Sequence, residues 1–416
     1  MTRKQWWVVA LLFLATVINY LDRQTLSVLA PELRDRFRMS NTDYSRVVFA
    51  FLLAYMLMQS GSGRLLDRLG TRRGFSLTIA WWSVAAMLHA AANSAASLGF
   101  FRFLLGLGEA GNWPGGVKAV SEWFPPKQRA FATGLFNSGS CVGAVVAPPV
   151  VAWIALTWGW QSAFLVTGSI GFLWLALWLG TYRTPEKPAW EEAEAQPIRW
   201  LSLLGYRQVW ALVGARMMAD PVWWFYVFWL PEYLKRERQF SLAEIGYFAW
   251  IPFLTADLGN LVGGALSGWL IRRGMLVLAA RKIVMAASAA LMTAGIPAVF
   301  VASPTTSLAL ISLATMAYSM WAANVLTLPA DLVPQHVVAS VSGISGTGAA
   351  LGGMIFMLSI GVVVDHFSYV PVFLAAGVMP LIAASGILGG ISKPVQVHAP
   401  RDAPQGTCAQ PGSQID

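Results

Sequence analysis

The chain has 416 residues, 56% of them hydrophobic and only 12% charged, where an ordinary soluble domain carries about 25% charged residues to solvate its surface. That composition excludes a water-soluble globule and fits a chain whose surface is lipid; 38 Gly and 20 Trp agree, as close-packing and headgroup-anchoring residues of membrane helices. The net charge of +9 sits in short clusters between long apolar runs, which excludes a nucleic-acid partner and is the pattern of charged loops held on one side of a bilayer.

In chain order, apolar stretches of about 20 residues, the length that crosses a bilayer, are expected at 6–30, 44–63, 75–93, 97–120, 129–153 and 161–181. A polar stretch follows, with Pro185, Pro188 and the acidic run Glu191, Glu192 and Glu194. Six more spans are expected at 208–234, 244–270, 281–301, 305–328, 338–363 and 370–391. The apolar run after Arg3 and Lys4 lacks a small-residue cleavage site and reads as a retained first span. The segment from Lys393, rich in Pro, Gln and Gly, reads as a disordered tail. The expected organisation is a six-helix half over 1–181, a central loop over 182–206, a second six-helix half over 207–392 and a tail over 393–416.

With both termini placed inside, 18 of the 29 Lys and Arg fall on the inner side and seven outside, so the positive-inside rule predicts both ends in the cytoplasm. A repeat supports the two halves independently. Pro125, Gly134, Gly143, Phe164 and Gly168 recur 209 residues later as Pro334, Gly343, Gly352, Phe373 and Gly377, which lays span 5 over span 11.

Charged residues inside spans are costly and must face a cavity or a partner. Span 1 holds Asn19-Tyr20-Leu21-Asp22-Arg23, with Asn19 and Arg23 one turn apart, and span 4 holds Arg102 and Glu109 two turns apart among glycines. A membrane carboxylate that alternates between neutral and charged can carry a proton, and an arginine that stays charged can grip a carboxylate in two places. Together they point to proton-coupled uptake of an organic anion; the competing reading of each is a buried ion pair that fixes packing. Tyr55 and Gln59 on span 2, Asn137 and Ser140 on span 5 beside Cys141, Trp224 in the aromatic run Asp220–Trp229 of span 7, Asp257 and Asn324 are further cavity candidates. The aromatic run reads equally as an interfacial belt. Lys118 and Glu122, one turn apart, are expected to pair. The cysteines Cys141 and Cys408 and the scattered His89, His336, His366 and His398 offer no metal-ligand spacing, and no nucleophile–base arrangement stands out. Neither an enzyme nor a cofactor or metal is expected.

The loop Gly63-Arg64-Leu65-Leu66-Asp67-Arg68-Leu69-Gly70-Thr71-Arg72-Arg73, with a degenerate copy from Gly264 to Gly274, resembles the loop signature of the major facilitator superfamily. That resemblance implies an all-α, twelve-helix membrane fold in two pseudo-symmetric halves with a site between them, and makes Gly63, Asp67, Arg68 and Gly70 gating or structural residues. Tyr20-x-Asp22-Arg23, Arg102 to Ala110 with Pro114, Trp123-Phe124-Pro125, Phe136-Asn137-Ser138-Gly139-Ser140 and Ala256-Asp257-Leu258-Gly259 resemble the anion:cation symporter family, the bacterial hexuronate transporters in particular. By that likeness Asp22 and Glu109 match proton-coupling carboxylates, Arg23 a substrate-carboxylate arginine, Arg102 a coupling arginine, and Tyr20 and Tyr55 cavity tyrosines. Ser140 stands where galactonate carriers have glutamine, which favours a hexuronate over an aldonate. The Gly-rich stretch Gly343 to Gly353 replaces the polar contacts of the second half, leaving that side open. The resemblance implies a bacterial inner-membrane proton symporter of a hexuronate such as glucuronate or galacturonate, acting as a monomer in the lipid bilayer. Another organic anion (an aldonate, an aromatic acid or a small dicarboxylate) and a non-transporting sensor are the alternatives.

Overall fold

A computed structural model describes residues 1–39, 41–185, 200–240, 248 and 250–395; the acidic run around Glu191 and the tail beyond 395 lie outside the described residues. The described chain is helical. In the first half, α1 (Arg3–Arg36), α2 (Asn41–Leu88), α3 (Ala95–Glu109), α4 (Asn112–Trp123), α5 (Pro126–Trp158) and α6 (Trp160–Thr181) follow one another. The second half has α7 (Arg207–Arg236), α8 (Ile251–Arg272), α9 (Val277–Met292), α10 (Pro304–Val325), the short α11 (Leu328–Leu332), α12 (Val338–His366) and α13 (Val370–Gly390).

Twelve crossings result. α2 holds two, turning at Gly70, whose φ of 77° places it in the left-handed region that glycine occupies without a Cβ penalty. α3 and α4 together make the fourth crossing, which the sequence presents as one helix over 97–120. The break has a local cause: Pro114 has no N–H to return to the carbonyl of Ala110, and that carbonyl accepts instead from the Ser62 hydroxyl at 3.1 Å. Eight described segments are long and apolar enough to span by composition, one of them, Arg46–Ala91, being the doubled α2. The fourth, seventh and eighth crossings fall short of that test, and these carry Arg102 with Glu109, Arg216 with Asp220, and Asp257. The fourth is divided into helices of 15 and 12 residues, each too short to cross alone.

The repeat is visible as geometry. A Cβ added at Gly134 of α5 would overlap the Asn260 carbonyl of α8, and one at Gly343 of α12 would overlap the Gln59 carbonyl of α2. One step further along the same two helices, a Cβ added at Gly143 would come within 2.7 Å of the Val17 carbonyl of α1, and one at Gly352 would overlap the Met217 carbonyl of α7. Each repeated glycine therefore marks the same helix pair in its own half or across the same seam, where only hydrogen lets the backbones touch.

The halves close on each other at the end of the bundle that holds the termini. Asp67 accepts from the backbone N–H of Ser340 at 2.6 Å and of Ala339 at 3.3 Å at the start of α12, a carboxylate at a helix N-terminus. Lys118, expected beside Glu122, ion-pairs with Asp67 at 2.6 Å, while Glu122 accepts from Thr71 at 2.5 Å and Tyr182 at 2.7 Å. A second tie runs through Asp331, which holds Arg129 of α5 at 3.0 Å and Arg281 of α9 at 3.1 Å. Arg281 also donates to the Pro126 carbonyl at 2.7 Å. Gly63 lies against the Ala339 carbonyl and is buried, whereas Arg68 is exposed.

Gly63→Val is expected to wedge this seam open. Overpacking of about 1–3 kcal/mol lowers the closed population roughly 5- to 150-fold, read as increased labelling of a cysteine introduced at Ser340; unchanged labelling would show that the seam does not depend on the close approach.

Candidate functional site

Between the halves lies a cavity whose wall includes Tyr20 and Arg23 of α1, Tyr55 and Gln59 of α2, Trp113 of α4, and Asn137, Ser140 and Cys141 of α5. The other half supplies Arg216, Asp220, Trp223 and Trp224 of α7, Asn260 of α8 and Tyr318 of α10. Of the residues singled out in the sequence as substrate contacts, Tyr20, Arg23, Tyr55, Asn137, Ser140 and Trp224 are therefore brought together.

Arg23 is the hub. Its Nε and Nη2 donate to Glu109 Oε2 at 3.0 and 2.8 Å, and Nη2 also reaches Asn19 Oδ1 at 3.4 Å. Four rings surround its guanidinium carbon: Phe51 at 5.0 Å, Tyr20 and Tyr55 at 5.1 Å, and Trp113 at 6.0 Å from the centroids. Guanidinium over aromatic faces is favourable and more so when desolvated, so the cage holds the cation without neutralising it. The side chain is 23% exposed, toward the cavity, while Glu109 is completely buried behind it. Glu109 keeps one carboxylate oxygen, Oε1, without a hydrogen-bond partner among the described residues.

Arg102 and Asp22 stand further back and do not line the cavity. Arg102 Nη2 donates to the Arg23 backbone carbonyl at 2.7 Å, and its Nε and Nη1 have no partner among the described residues. The two-turn spacing to Glu109 read from sequence does not become an ion pair, because the α1 arginine occupies Glu109. Asp22 is 2% exposed beside Thr167 of α6, with neither carboxylate oxygen hydrogen-bonded among the described residues.

The second half contributes what the sequence left open. Arg216 and Asp220, one turn apart on α7, pair through Nε and Nη2 to Oδ2, both at 3.0 Å, and Arg216 Nη1 donates to Ser345 Oγ of α12 at 3.2 Å. Their i, i+4 spacing was the available signal. Trp223 stacks on Tyr318 with centroids 5.5 Å apart. Asn137 of α5 takes the Trp113 indole N–H at 3.0 Å and donates to Asn260 of α8 at 3.2 Å, joining the two halves across the cavity.

The Major Facilitator Superfamily pattern matches residues 12–355, and the chain belongs to that family of transporters; it is not an enzyme. It is 33% identical to the hexuronate transporter of Escherichia coli (strain K12) over 399 residues, covering 91% of this chain and 92% of that one. It is 36% identical to the galacturonate transporter of Dickeya chrysanthemi over 277 residues, or 62% of this chain and 80% of the relative. Among solved structures, the transporter FucP in the outward conformation has the same fold, with a TM-score of 0.73 at 17% identity over 92% of this chain and 98% of that one.

Removing one partner of a buried ion pair costs more than removing both. Arg23→Ala is expected to destabilise the detergent-solubilised protein by about 3–5 kcal/mol, and Arg23→Ala with Glu109→Gln to recover most of that loss in thermal unfolding. Equal losses in the single and double variants would contradict the pairing.

Proposed function

We propose that the protein is a proton-coupled symporter that imports a sugar acid with one carboxylate, a hexuronate such as galacturonate or glucuronate, across a bacterial inner membrane. The observation that carries this reading is the Arg23–Glu109 pair: the cation faces the cavity and its counter-ion is sealed behind it. The names of the two relatives point to the substrate class, and the Lys and Arg distribution supports both termini in the cytoplasm.

Arg23 cannot serve two carboxylates equally. With Glu109 ionised, an incoming anion meets a neutral pair and a second negative charge; unit charges 4 Å apart cost about 4 kcal/mol at an effective dielectric of 20. A proton on Glu109 removes that cost and turns Nε and Nη2 toward the substrate, which Arg23 binds through a planar fork. Asp22 takes the second proton-carrying role. Arg102 positions Arg23 through its backbone carbonyl. Tyr20, Tyr55, Asn137, Ser140 and Trp224 then surround the sugar.

In this cycle the protonated, loaded site releases the seam on the terminus side. The six-helix halves, 1–181 and 207–392, rock about the cavity; Gly63, Asp67, Arg68 and Gly70 form the latch that closes again after release. One chain completes the site, so a monomer suffices.

Two variants test the coupling. In proteoliposomes, Glu109→Gln should abolish proton-driven accumulation of galacturonate while counterflow of the same substrate persists, because a permanently neutral side chain frees Arg23 but carries no proton; uphill uptake at the normal level refutes the role. Arg23→Lys should weaken galacturonate binding about tenfold or more, roughly 1.4 kcal/mol, because a point charge replaces the fork. Near-normal affinity would remove Arg23 from the site.

A further inference from the structure

We infer that the Arg216–Asp220 pair of α7 is the selectivity element that keeps a second carboxylate out of the cavity and reads the non-acidic part of the substrate as hydroxyl groups. The inference rests on the sugar-acid reading above and extends it to the half whose contacts the sequence left unassigned.

The two arginines of the cavity are held in opposite ways. Arg23 presents its cation to the cavity with Glu109 hidden behind it, the side chains being 23% and 0% exposed. Arg216 and Asp220 both line the cavity and are exposed to nearly the same slight degree, 11% and 10%. A proton on Glu109 therefore uncovers one positive charge, whereas Arg216 stays neutralised inside the cavity wall itself. Each of its nitrogens already donates one N–H, Nε and Nη2 to Asp220 and Nη1 to Ser345, which leaves a second N–H on each Nη for a neutral partner, and the Tyr318 hydroxyl lies beside Asp220. One unpaired cation seats one carboxylate. A second carboxylate at the far end of the ligand would meet the Asp220 oxygens with no free cation to receive it.

A hydroxyl group suits this pair, because it donates and accepts at once: it gives its hydrogen to Asp220 and takes one from Arg216 without separating the charges. A site built to hydrogen-bond a hydroxyl discriminates strongly against an analogue that cannot make the same bonds. The stacked Trp223 and Tyr318 rings beside the pair offer an apolar face for the C–H side of a sugar.

The test is ligand affinity of the purified full-length protein for three probes: galacturonate, the open-chain monocarboxylate galactonate, and galactarate, which differs from galactonate in carrying a second carboxylate in place of the terminal hydroxymethyl. The wild type should prefer galactonate over galactarate by about tenfold or more, the size expected for rejecting an unpaired charge. Asp220→Asn uncovers Arg216 and should shift that ratio toward galactarate by about tenfold or more. An unchanged ratio in Asp220→Asn, or a wild type that binds galactarate as well as galactonate, overturns the inference while leaving the sugar-acid reading intact if galacturonate still binds. Binding of none of the three overturns both. Should Asp220→Asn fail to fold, the neutral variant Arg216→Gln with Asp220→Asn should lose about tenfold or more in galacturonate affinity and still exclude galactarate; full galacturonate affinity there overturns the inference.

Discussion

The arrangement depends on one ion pair, Arg23 with Glu109, placed where the surrounding medium punishes any unpaired charge. In water such a pair would contribute little. At membrane depth neither partner can be left alone, so the position of each is fixed by the other and by the aromatic cage of Tyr20, Phe51, Tyr55 and Trp113. Under the proposed mechanism the pair also sets a rule of exchange: an anion that takes Arg23 is matched by a proton on Glu109. Arg102 and Asp22 lie behind that hub, one holding the α1 backbone, the other with its oxygens unpartnered among the described residues.

Around that hub the scaffold is an exercise in close approach. Gly134 and Gly343 bring α5 onto α8 and α12 onto α2, and Gly143 and Gly352 bring α5 onto α1 and α12 onto α7. Without a hydrophobic force between helices in lipid, such contacts and a few polar ties provide cohesion. The ties between halves gather at the terminus side, through Asp67 with the start of α12 and through Asp331 with Arg129 and Arg281. The cavity lies beyond them. Each half also keeps a packed cluster of its own, from Leu21 to Phe164 in the first and from Val222 to Ala376 in the second, while a further cluster runs through both.

Much of this was legible in the sequence because the membrane makes errors expensive. A charge within a 20-residue apolar run needs a reason, so Asp22, Arg23, Arg102 and Glu109 stand out; so do glycines repeating at a constant offset. What the sequence concealed were partnerships. Arg102 and Glu109 share a helix face by spacing, yet Glu109 turns to Arg23 on another helix, which no single-helix periodicity encodes. The split of the fourth crossing needed both Pro114 and the Ser62 hydroxyl that receives the freed carbonyl. Arg216 and Asp220 were obscured by the aromatic run that Asp220 itself opens, and Tyr318 and Asn260 by being unremarkable residues in apolar helices. Their part in the cavity appears only when α7, α8 and α10 are packed together.

Under the proposed cycle, anion and proton occupy the site together because the anion and Glu109 compete for Arg23. The most direct measurement is proton exchange on binding: galacturonate added to the purified protein in weakly buffered solution, with pH followed as the site fills. Net proton uptake that saturates with the binding isotherm is expected. Saturable galacturonate binding with no proton uptake, at any pH where the anion binds, would contradict it.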